Sequence, residues 1–93
     1  MIYYQKENNM EKMVFKNKIK DKRLEKKMSQ QELANTVGVS RQTIISIENG
    51  TFSPTAKLAY LICLALDITF EELFYFEMEG EMVEDQTVLP ITT

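Results

Sequence analysis

The stretch Ser29 to Gly50, SQQELANTVGVSRQTIISIENG, constrains the fold of this chain more than any other. Ser29 is a strong N-cap, and Glu32 three residues later completes a capping box ahead of an apolar run. Leu33, Ala34 and Val37 then fall on one helical face. Gly38 stops that helix, because glycine takes the left-handed C-cap conformation without a Cβ penalty. Val39 leads in and Ser40 caps a second helix, in which Ile44 and Ile47 face inward while Arg41, Gln42 and Ser46 are left outward. Gly50 closes it. Each local signal predicts the same pair of short helices around a tight turn, and agreement between independent levels is itself evidence.

A chain of 93 residues suits one small domain with a modest core. The longest apolar run lies within Leu58–Leu66 and is too short to span a membrane. The N-terminal residues include Lys6, Glu7 and Glu11 without an apolar stretch, so no secretory signal is expected. The single cysteine offers no intramolecular disulfide, which fits a reducing cytoplasm, the expected location. There is no histidine, so both the commonest general base and the commonest metal ligand are missing.

A net charge of −3 looks unpromising for a nucleic-acid partner, because domains that bind phosphate backbones are usually basic. The distribution of the charge points the other way. Between Lys12 and Lys27 stand eight positive residues against only Asp21 and Glu25, whereas Asp67 to Asp85 holds eight carboxylates and no positive residue. The sequence therefore describes a basic body with an acidic tail, and the body is what a phosphate backbone would meet.

Taken in order, residues 1–12 read as a flexible leader, residues 13–78 as the folded domain and residues 79–93 as an acidic flexible tail. Met13-Val14-Phe15 suits a strand or a lead-in. A first helix is expected from about Lys16 to Lys27, with Ile19 marking its core face, Lys22 and Arg23 following inward, and Leu24 off that face. Past Gly50, Ser53 is expected to cap a helix with Pro54 at its first position. That helix would run to about Leu66 with Leu58, Leu61, Ile62 and Ala65 on its buried stripe. Thr69 opens a last short helix with the capping box TFEE, and Tyr75 to Met78 alternates weakly, as a strand does.

Two short helices around a glycine turn are the shape that sets one helix in the DNA major groove. Together with IKxxR in helix one, the segments SQQELA, Gly38-Val39-Ser40, RQTI..IENG and the SP ahead of an apolar helix make this chain similar to the Cro/C1-type helix–turn–helix regulators, the XRE family. The resemblance covers about Lys16 to Phe76. It implies an all-α, five-helix lambda-repressor-like domain, to which the two flanks can add a small two-stranded β-ribbon. It also implies operator binding as a homodimer. Gln30 would hold a phosphate, Arg41, Gln42 and Ser46 would reach base edges, and Asn49, Thr51 and Phe52 would touch the backbone. Arg23 and Glu48 would form a partly buried ion pair. The chain departs from the family pattern at Lys22, usually leucine; at Leu24, usually polar; at Lys27, often glycine; and at Ile45, usually polar and here suited to thymine methyls.

The expected function is sequence-specific binding to double-stranded DNA as a transcriptional regulator, acting as a repressor. The exposed face of Ser40 to Asn49, Thr43 and Ile45 included, would discriminate bases, and lysines would supply salt-dependent affinity. Dimer contacts are expected from Leu73, Phe74, Tyr75 and Phe76. The competing reading is an antitoxin or adaptor whose acidic tail, Glu77–Asp85, grips a basic protein partner. Neither catalysis nor a cofactor is expected: no nucleophile–base pair, phosphate-binding glycine loop or metal motif can be assembled. Glu71, Glu72, Glu77, Glu79 and Glu81 lack the spacing of a calcium loop and read as solvated surface. Cys63 reads as a small core residue.

Overall fold

The computed structural model describes residues 12–79, so the leader and most of the acidic tail expected from the sequence lie outside the described residues. The order is β1 (Met13–Asn17), α1 (Ile19–Glu25), α2 (Gln30–Val37), α3 (Arg41–Glu48), α4 (Ala56–Leu66), α5 (Phe70–Leu73) and β2 (Phe74–Met78). Five helices and a two-stranded sheet of β1 with β2 are thus present among the described residues. Two compact units can be separated: a helical unit, Lys16–Tyr75, and a second that among the described residues holds 12–15 and 76–79.

Within the helical unit each helix begins where a side chain satisfies its first amides. Ser29 Oγ accepts from the Glu32 amide at 3.0 Å while Glu32 returns a carboxylate oxygen to the Ser29 amide at 2.7 Å. Thr69 and Glu72 repeat that exchange at the start of α5. Ser40 Oγ accepts from the Thr43 amide at 3.1 Å. Two starts differ from the sequence reading. The cap of α4 is Thr55, not Ser53: its hydroxyl accepts from the Leu58 amide at 3.1 Å, and Pro54 falls before the cap. Helix α1 starts at Ile19 rather than near Lys16, because the residues up to Asn17 belong to β1. Asn17 then caps it from two residues upstream, Oδ1 accepting from the Ile19 amide at 3.0 Å.

The first four helices end alike. Lys27, Gly38, Gly50 and Asp67 all have positive φ, at 57°, 83°, 84° and 56°. One residue further on, the amides of Met28, Val39, Thr51 and Ile68 bond back to the carbonyls of Arg23, Ala34, Ser46 and Cys63 at 2.9–3.1 Å. This is the Schellman turn, which returns the chain sharply and satisfies carbonyls the helix leaves open. Two of the four turns therefore carry a side chain in a conformation that favours glycine.

The core is built from Ile19, Leu33, Ala34, Val37, Ile44, Ile47, Ala59, Ile62, Cys63, Leu66, Leu73 and Phe74. Arg23 joins Ile19 on the buried face of α1, and Leu24 is exposed, as the helical spacing requires. On α4 the stripe is rotated from the expected one: Ala59, Ile62, Cys63 and Leu66 are buried, whereas Leu58, Leu61 and Ala65 are half-buried. The segment AKLAYLICLAL is apolar nearly all round, so the phase of its buried face is set by its neighbours and not by its own pattern. Burial pushes the Cys63 thiol above its ordinary pKa, and the Glu71 carboxylate adds to the shift.

The strands are antiparallel, with the Lys18 amide on the Leu73 carbonyl and the Glu79 amide on the Lys12 carbonyl, each at 2.9 Å. Within the second unit the rings of Phe15 and Phe76 lie 5.0 Å apart.

Replacing Lys27 by glycine should relieve the left-handed strain and raise stability by about 0.5–1 kcal/mol, net of the extra freedom of the unfolded glycine. A thermal unfolding curve that moves up by several degrees will show it, and an unchanged or lower midpoint will refute it. The Cys63 thiol, kept protonated and covered, should react with iodoacetamide at pH 8 far more slowly in the native protein than in urea.

Candidate nucleic-acid interface

Helix α3 shows two faces. Ile44 and Ile47 are fully buried, while Arg41 and Gln42 are exposed and Thr43, Ile45 and Ser46 are half-buried. The Ser40 hydroxyl accepts from the Thr43 amide and so stabilises the first turn of α3. Gln42 Nε2 donates to Ser46 Oγ at 3.3 Å, one turn along. Ser40 and Thr43 share a hydroxyl contact at 2.9 Å. The outer surface of α3 is therefore a row of short polar groups, with Ile45 as an apolar member beside them.

The loop after α3 is drawn back onto the helix. The Ser46 carbonyl accepts from the amides of Thr51 and Phe52 at 2.9 and 3.2 Å. Asn49 Oδ1 accepts from the Thr51 amide at 3.1 Å and from the Thr51 hydroxyl at 2.9 Å. Thr51 and the half-exposed Phe52 ring thereby join Ser40, Gln42, Thr43 and Ser46 around one shallow, open depression. The surface offers hydroxyls, an amide and one ring, with Arg41 close by in sequence: groups that read base edges and hold phosphate oxygens.

Behind this surface lies a buried charge network. Arg23 donates from Nε to Glu48 Oε2 at 2.7 Å and from Nη2 to Oε1 at 3.2 Å, a two-pronged contact with both side chains 6% exposed. Its third nitrogen donates to the Met28 carbonyl at 3.0 Å. Glu48 Oε1 also accepts from Gln30 Nε2 at 3.1 Å. One carboxylate at the end of α3 is thus bonded to α1 and to the first residue of α2, while Arg23 also reaches the turn between those two helices. Gln30, expected from the resemblance to hold a phosphate, commits its side-chain amide to Glu48 in this structure.

A second tie was not legible in the sequence. Asn17, the upstream cap of α1, also donates from Nδ2 to the Ile47 carbonyl at 2.9 Å. An asparagine ahead of a helix was a usable cap signal, but its long-range partner was not. The expected dimer residues differ in exposure. Leu73 and Phe74 are 0% and 3% exposed, because they close the protomer's own core. Tyr75 and Phe76 remain exposed, though Lys18 Nζ lies 5.5 Å from the Tyr75 ring centre. Among the described residues no cluster of carboxylates and thiols could hold a metal ion, and no helix is long and apolar enough to cross a membrane.

Two capped helices around a left-handed glycine, with the second helix braced from behind and polar in front, define a helix–turn–helix domain. The chain belongs to the Cro/C1-type helix–turn–helix family, whose model, described as helix-turn-helix, matches residues 19–73. It is 44% identical over 65 residues to the uncharacterized HTH-type transcriptional regulator YgzD of Bacillus subtilis (strain 168), which covers 70% of this chain and 98% of that protein. It is also 44% identical over 60 residues to the cryptic phage CTXphi transcriptional repressor RstR of Vibrio cholerae, covering 64% of this chain and 54% of RstR. The fold matches the crystal structure of the transcriptional regulator VanUg with a TM-score of 0.62 and 20% identity, over 85% of this chain and 97% of that one. The protein is accordingly a DNA-binding transcriptional regulator and not an enzyme.

Arg23→Lys keeps the charge but loses the fork, and should destabilise the fold by about 1–3 kcal/mol in denaturant unfolding. Arg23→Ala and Glu48→Ala should each cost about 3–5 kcal/mol, since each strands a buried partner, and the double variant should cost clearly less than their sum. Additive losses would mean that the network does not act as a unit.

Proposed function

We propose that the protein is a repressor that binds a palindromic operator as a homodimer, reading each half-site with α3. The observation that carries this reading is the outward row on α3, Arg41, Gln42 and Ser46, over a helix whose inner face is wholly buried. In this docking geometry the N-terminal residues of the second helix meet base edges in the major groove. Arg41 suits guanine O6 and N7, Gln42 suits adenine N6 and N7, and Ile45 suits a thymine methyl. Thr43 and Ser40 lie beside them. Asn49, Thr51 and Phe52 contact the phosphate backbone from the loop that Ser46 holds in place, and Gln30 does so from the start of α2 with the second hydrogen of its side-chain amide, the first being held by Glu48. The name of RstR, a transcriptional repressor, supports repression over activation. Two copies are required because one domain of this kind spans a single half-site, with half-sites about 34 Å apart along the duplex.

Selection of bound duplexes from a random pool should return a palindrome. On that operator Gln42→Ala should cost about 1–3 kcal/mol and relax the choice of base at one position per half-site, with little change on random DNA. Equal losses on both kinds of DNA would remove Gln42 from the base-reading role.

A further inference from the structure

Tyr60 and Leu64, 63% and 59% exposed, are the two most exposed large apolar side chains among the described residues. They stand four residues apart on α4, so they adjoin on one face of the helix. Leu61, next to Tyr60 in the chain, is half-buried. Lys57 and Asp67, both exposed, mark the two ends of this ridge.

The charges are placed against the helix that carries them. Lys57 sits in the first turn of α4, where the helix dipole disfavours a cation, and Asp67 follows the last turn, where it disfavours an anion. The spacing is also symmetric: Tyr60 and Leu64 lie equally far from the level of Ile62, and so do Lys57 and Asp67. A two-fold axis at that level, with two copies of α4 antiparallel, sets Tyr60 against Leu64 of the second copy and Lys57 against its Asp67. Each charge then meets an opposite charge and the favourable end of the other helix dipole. A surface that becomes complementary to itself on half a turn is what an isologous dimer requires.

We infer that the exposed ridge of α4, Tyr60 and Leu64 between Lys57 and Asp67, is the surface through which two copies of this chain associate. The inference rests on the reading that the operator is bound by two copies, and it moves the contact away from Leu73 and Phe74, which the core has consumed.

The test is sedimentation velocity on the full chain at micromolar concentration, with circular dichroism confirming that each variant is folded. The wild type should be a dimer, and Leu64→Lys should raise the dimer dissociation constant about 30-fold or more, as loss of a central anchor does. Lys57→Asp and Asp67→Lys should each weaken self-association. Mixed together, these two variants should form a heterodimer, because every 57–67 contact then joins opposite charges. A monomeric wild type, an undisturbed Leu64→Lys dimer, or charge variants that fail to pair on mixing would each overturn the assignment. Failure of the operator reading shows separately: a dimer broken by Leu64→Lys that selects no DNA sequence would refute sequence-specific binding and leave this interface standing.

Discussion

Arg23 and Glu48 are opposite charges taken almost wholly out of water, on helices that are distant in sequence. Apolar packing is non-directional and tolerates rotation of one helix on another. A guanidinium fork on a carboxylate does not, since both hydrogen bonds must be met in one plane. Glu48 lies at the end of α3, and its two oxygens are shared by Arg23 and Gln30. The end of α3 is thereby held against α1 and the start of α2. Burying such a pair gains little net stability, because desolvation offsets most of the attraction. Its contribution is orientation: it fixes how α3 is set against α1 and the start of α2.

The pair depends in turn on how α1 ends. Lys27 in the left-handed conformation folds the chain back, so that the Met28 amide bonds to the Arg23 carbonyl and the Met28 carbonyl accepts from the Arg23 guanidinium. One turn thus closes the helix and fills the last side of the arginine site. The same turn after α2 sets the angle between the two helices of the motif, and after α3 it brings Thr51 and Phe52 back beside Ser46. Helix ends, more than helix interiors, decide where the polar row of α3 is presented.

Charge acts on a longer scale. Lysines cluster in sequence around α1, although the chain as a whole is acidic. On the proposed reading, their attraction to a phosphate backbone would be independent of sequence and screened by salt, whereas contacts from α3 would be short-ranged and specific. The two roles would then fall to different helices, so that affinity and discrimination could be altered separately.

Where the chain forms helices was legible wherever the determinant is local: the capping boxes at Ser29 and Thr69, the Ser40 cap, and the glycines at 38 and 50. Such signals involve atoms within a few residues of one another, so the sequence alone is sufficient to state them. The opposition of Ile44 and Ile47 to Arg41, Gln42 and Ser46 was legible for the same reason, through helical periodicity. The start of α1 was not, because a run such as KNKIK has no strong preference and pairing with β2 decided it. The buried side of α4 could not be read from a segment that is apolar nearly all round; only its neighbours select Ala59, Ile62, Cys63 and Leu66. Family resemblance could name Arg23 with Glu48, but the further partners Met28 and Gln30, and the bond from Asn17 to Ile47, join atoms up to thirty residues apart. Burial of Leu73 and Phe74, and exposure of Tyr60 and Leu64, follow from the same cause: an apolar side chain has no preferred side until other elements have packed around it.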